Sequence, residues 1–172
     1  MTDRRRRSIA LWAALAAGAI AAPAAPAGAS DWRVAASARE EAGGYAAYLV
    51  DRDSVARAGD VATFALQIVY QRPQQGGRFN RAVDRVQANC RDRSLTLLSQ
   101  EFFLRRAPAG RNDTQTTAQT QPGWALATVI DAACTGQYRS DRVRDVFLIA
   151  GSMFEIMERE AAARRGAQTA RN

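Results

Sequence analysis

Cys90 and Cys134 are the only cysteines in this 172-residue chain, and there is no histidine. Those two facts remove most side-chain chemistry. Ser-His-Asp and Cys-His nucleophilic sites need an imidazole base, so neither can be built in its usual form. The common zinc sites go with them, because they draw on histidine and on free thiolates. No glycine-rich phosphate loop follows a strand-like run. What remains is carboxylate chemistry, with Asp51 and Asp53, or Asp84 and Glu101, as pairs for a hydrolase. Asp51, Asp53 and Ser54 could also form a calcium or catalytic cluster. A tight turn is the favoured reading of that run, since Asp and Ser side chains bond backbone groups two or three residues on. A reaction needs an assembled site, and residue types alone do not supply one. The chain therefore reads as non-enzymatic, with no catalytic residue, no metal and no cofactor expected.

The N-terminus bears on compartment. Arg4 to Arg7 form a basic region, Ile9 to Ala22 an apolar one, and Ala27-Gly28-Ala29 a small-residue cleavage site. That order predicts a secretory signal peptide over residues 1–29. An uncleaved anchor is the alternative, although the apolar run is short of the roughly 20 residues that a membrane helix needs. Sec and twin-arginine routes both fit. No cysteine follows the cleavage site, so no lipoprotein is expected. Cleavage would remove four arginines and Asp3, lowering the net charge of +7 by three. The remaining arginines, among them Arg52, Arg57, Arg72, Arg78, Arg81 and Arg85, are scattered with acids between them. They read as a solvated surface, and no nucleic-acid partner is expected. In an exported chain, two cysteines read as one disulfide, Cys90 to Cys134.

The elements that must carry these residues follow from periodicity. Asp31 to Ala35 reads as a short strand, and Ser37 to Gly44 as a turn. Tyr45 to Asp51 is a second strand, with Tyr48 and Val50 on one face and Ala47 and Leu49 on the other. Val61 to Tyr70 alternates cleanly: Phe64, Leu66, Ile68 and Tyr70 against Thr63, Ala65, Gln67 and Val69. Gln71 to Gly77 is a hairpin loop. Asn80 to Cys90 is a strand whose apolar face is interrupted by Asp84, and Ser94 to Leu104 is another. Ala107 to Gly110 reads as a turn, and the Thr/Gln-rich run Asn112 to Gln121 as an edge strand or an exposed loop. Trp124 closes the sheet. A short helix follows from Ala125 to Cys134.

A longer helix runs from Asp141 to Arg165, with Ser140 or Asp141 as its cap. Its apolar stripe is Val143, Val146, Phe147, Ala150, Met153, Phe154, Met157 and Ala161, widened by Ile149 and Ile156. Packing onto the domain is the expected role of that stripe. A dimer seam and a membrane-surface helix remain open. Strands in series followed by helices predict an α+β fold with an antiparallel sheet.

This order of residues resembles the surface-adhesin protein E family of exported bacterial proteins. The matching features are Trp32, then Tyr48-Leu-Val-Asp51-Arg-Asp-Ser54-Val55, the long strand to Tyr70, the strand ending at Cys90, Trp124 and Cys134. The resemblance covers Asp31 to Cys134. It implies a single antiparallel sheet of about six strands with a helix tethered to one face by the disulfide. It makes 30–140 the family-like domain and 141–172 an added helix and tail. It also implies an envelope or surface protein that binds protein partners, host matrix proteins among them. No residue here matches a known contact, so the ligand does not carry over. The alternative is a periplasmic binding or assembly factor that holds an apolar small ligand on its sheet face.

Overall fold

The computed structural model describes residues 30–41 and 43–169. The predicted signal peptide lies outside them. Eight strands form one antiparallel sheet: β1 (Trp32–Arg39), β2 (Tyr45–Asp51), β3 (Ala56–Ala58), β4 (Val61–Gln74), β5 (Phe79–Asn89), β6 (Ser94–Leu104), β7 (Ala107–Asn112) and β8 (Thr116–Gln119). Two helices follow, α1 (Ala125–Thr135) and α2 (Val146–Thr169). The expected α+β class therefore holds, and the strand count needs only a local correction. The sheet has six lanes in the order β1-β2-β4-β5-β6-β7, with β3 pairing the start of β4 and β8 pairing the start of β6.

The alternation in β4 sorts the core into two. Phe64, Leu66 and Ile68 join Val50, Val86, Val129 and Ile130 in one cluster, on the face that α1 covers. Val69 joins Val34, Ala47, Leu49, Ala150 and Phe154 in a second cluster, on the face that α2 covers. The two helices therefore lie on opposite faces of the sheet. The Cys90–Cys134 disulfide, with Cα atoms 5.8 Å apart, ties the end of α1 to the residue after β5. Gly136 ends α1 in the left-handed region at φ 75°, and its N–H bonds the Ala132 carbonyl. That conformation suits glycine, which lacks the Cβ that would clash there.

Three expectations need correction. The run from Ala107 to Gly110 is strand β7, not a turn. The hairpin before it turns at Arg105, whose φ is 56°. Helix α2 begins at Val146, not at Asp141, and Asp145 caps it by accepting from the N–H groups of Phe147 and Leu148. Ser140 does other work: its hydroxyl accepts the N–H of Val34 on the edge of β1. Finally, Ile156 does not widen the buried stripe but faces solvent, as does Leu148. Among the described residues no helix is long and apolar enough to cross a membrane, a statement about helices alone.

Candidate functional site

The Asp51 to Ser54 motif is a stitched turn. Asp51 Oδ1 accepts the N–H of Asp31 at 3.0 Å and that of Asp53 at 3.3 Å. Ser54 Oγ donates to the Asp51 carbonyl at 2.7 Å and accepts from Ala65 N–H at 2.8 Å. These bonds join the start of β1, the end of β2 and the middle of β4. Asp31 beside them holds Arg33 through two bonds of 2.7 and 2.9 Å. That guanidinium, with weaker help from Arg142 and Arg52, keeps its carboxyl below the usual range. Trp32 bridges Val143 and packs in the α2-side cluster. These residues position strands, and none presents a reactive group to a cleft.

The carboxylate pairs do not assemble. Asp51 spends its carboxylate on backbone donors, while Asp53 is exposed. Asp84 lies opposite Gln100 in β6, and Glu101 lies opposite Val83. Neighbouring residues of a strand point to opposite faces, so Asp84 and Glu101 are separated by the sheet itself. Glu101 pairs with Arg111 at 3.1 Å. Among the described residues no group of His, Cys, Asp and Glu could hold a metal ion.

Asp84 is the costly residue. It is 5% exposed, and its Oδ1 has no hydrogen-bond partner. Burial raises its carboxyl to about 6, against a hydrogen bond from Gln100 that lowers it. A raised carboxyl means that the native state holds a proton which the unfolded chain has already lost. Stability should therefore fall as pH rises from the ordinary carboxyl range to about 6, and stay flat above. At neutral pH the charge costs on the order of 3 kcal/mol, from about two units at 1.36 kcal/mol each. Asp84→Asn should recover most of that at pH 7 and nothing at pH 4. Melting curves of both proteins across this range check it, and a pH-independent difference would refute the assignment.

Aromatic residues cluster on the same face. Tyr70 meets Phe79 edge-on at 5.8 Å, and Phe79 meets Phe102 at 4.6 Å. Tyr48 donates its hydroxyl proton to Glu40 at 3.0 Å, and burial followed by that carboxylate raises its pKa. Beyond Tyr48 an open cleft of about 700 Å³ separates the first turn of α1 from the β1–β2 turn. Trp124 stands at its rim, 51% exposed. As expected, Trp124 lies between the last strand and α1, and as the residue before that helix it makes no side-chain capping bond.

On the other face, the Arg81 guanidinium lies 3.9 Å over the ring of Phe103 and 5.8 Å from that of Phe147. Burial lowers its pKa. Sequence reasoning passed over Glu40, Tyr48, Arg81 and the aromatic trio as site residues. The one available signal was Asp84, a charge standing in an apolar alternation.

An antiparallel sheet with a helix bridged to it by a disulfide, and a second helix on the other face, defines the class of domain. The chain belongs to the surface-adhesin protein E family, whose pattern matches residues 34–135. That span runs from β1 to the end of α1, close to the resemblance read from the sequence, and leaves α2 outside it. Among curated proteins, none matches the chain. Family membership supports a surface-adhesin role.

Proposed function

We propose that the protein is an exported envelope binding module of the adhesin E type, which engages a protein partner and performs no catalysis. The observation that carries this reading is the family match over residues 34–135. The paired-carboxylate hydrolase reading loses support, since Asp84 and Glu101 lie on opposite faces of the sheet and Asp51 spends its carboxylate on backbone donors. The face under α1 supports a scaffold role. Phe64, Leu66, Val129 and Ile130 fill it, which argues against an apolar ligand held on the sheet. Host matrix proteins are the partner class that we put forward, in line with the resemblance read from the sequence.

Protease treatment of intact cells tests the location. A surface protein is shaved, and a periplasmic one survives until the outer envelope is opened. Purified protein titrated over immobilised matrix proteins tests the partner. Saturable binding supports the reading. Full protection from protease, together with no binding, would overturn it.

A further inference from the structure

The cleft beside α1 combines three features. First, Trp124 occupies the capping position of α1, where Ser, Thr, Asp or Asn would satisfy a backbone donor. Its indole makes no such bond and stands half in solvent. Second, Glu40 and Glu41 line the same cleft, on a turn held by bonds from Glu40 N–H to the Gly44 carbonyl and from Gly43 N–H to the Glu40 carbonyl. The Glu40 carboxylate is fixed by the Tyr48 hydroxyl. Third, Tyr48 and Leu126 add an aromatic and an aliphatic wall.

The charge here runs against the rest of the molecule. The chain is basic, yet the lining of this cleft carries two carboxylates and one cation, Arg39, with the Arg72 side chain packed behind the turn at Gly43 and Gly44. The N-terminus of α1 adds only about half a positive charge, so the lining itself keeps a small negative excess. An anion would meet two carboxylates. A cation finds carboxylates to bind and an indole face to stack on. A planar guanidinium can do both at once, with its stem along Tyr48 and Leu126, whereas an ammonium is a point charge that stacks less well.

We propose that this cleft binds an arginine side chain presented by an extended basic segment of the protein partner. The proposal rests on the binding-module reading above and names the chemistry of the partner. The probe is a nine-residue arginine peptide titrated into the full exported protein at physiological salt, with a nine-residue lysine peptide beside it. Tryptophan fluorescence and calorimetry both report binding. Saturable binding is expected, tighter for arginine than for lysine. Trp124→Ala and the Glu40→Gln/Glu41→Gln pair should each weaken it at least tenfold. Glu41→Arg, at an exposed position with little bearing on folding, should abolish it. Glu158→Gln/Glu160→Gln, which removes acids on α2, should leave it unchanged. Absence of saturable binding overturns the proposal, and so does a loss that the α2 variant shares. The peptide assay needs no matrix protein. Its failure therefore leaves the adhesin reading standing, and failure with matrix proteins leaves the cleft standing.

Discussion

Cys134→Ser is expected to destabilise the protein by about 4 kcal/mol, the chain-entropy value for a closed loop of this length. The bridge spans 44 residues and joins α1 to the end of β5. In the unfolded chain it forbids the many states in which those segments are apart. In the folded chain it sits within local support: Arg57 donates to the Cys134 carbonyl and approaches Cys90 Sγ at 3.7 Å. The core under α1 is closed by Val129 and Ile130, so the variant should still fold with the helix in place. The loss should appear as a lower melting temperature, equal to that of wild type under reductant. Cys90→Ser/Cys134→Ser should match the single variant, since the lost constraint is the same. Non-reducing peptide mapping should recover the linked pair from wild type. Free thiols in the exported protein, or an unchanged melting temperature, would refute the tether.

The sheet was legible where periodicity was strong. β2 and β6 run over the residues read from the sequence, and the two faces of β4 divide as its alternation says. β7 was hidden because Pro108 and Gly110 are turn residues by composition. Pro108 is tolerated because β7 is an edge strand with a register shift beside it, where a missing N–H costs no ladder bond. The hairpin turn before it uses arginines and not the usual Asn-Gly, so no local signal marked it. β3 is three exposed residues, too short to show any period. The start of α2 was read with Ser140 or Asp141 as its cap, and Asp145 was passed over. Asp145 took the role because Ser140 is committed to the β1 edge, a contact of 106 residues' separation that no local rule can see. The cleft was illegible for the same reason. Glu40, Tyr48 and Trp124 meet only once β1, β2 and α1 are assembled.

Phe154→Ala is expected to cost about 3 kcal/mol, the lower end of the range for truncating a buried phenylalanine. The ring is 7% exposed and joins Val34, Ala47, Leu49 and Val69 in the second core cluster. The lower end applies because α2 buries only Ala150 and Phe154 fully. The face it covers also holds Gln67, 2% exposed, whose Nε2 has no partner. An orphaned donor is a standing cost that weakens the docking of whatever buries it. A weakly docked helix opens before the sheet does. The loss should therefore appear first as faster amide exchange in α2, with β4 and β5 still protected. A chain stopped after Arg144 tests the same contact and keeps the Val143 bridge and the Ser140 bond that cover the β1 edge. It should melt lower and bind a hydrophobic dye through Leu49 and Val69. Suppose it keeps its melting temperature but changes from dimer to monomer by light scattering. The exposed Leu148 and Ile156 would then mark a seam between copies. If it loses only its binding to lipid vesicles, α2 is a membrane-surface element, and the packing assigned to Phe154 is wrong.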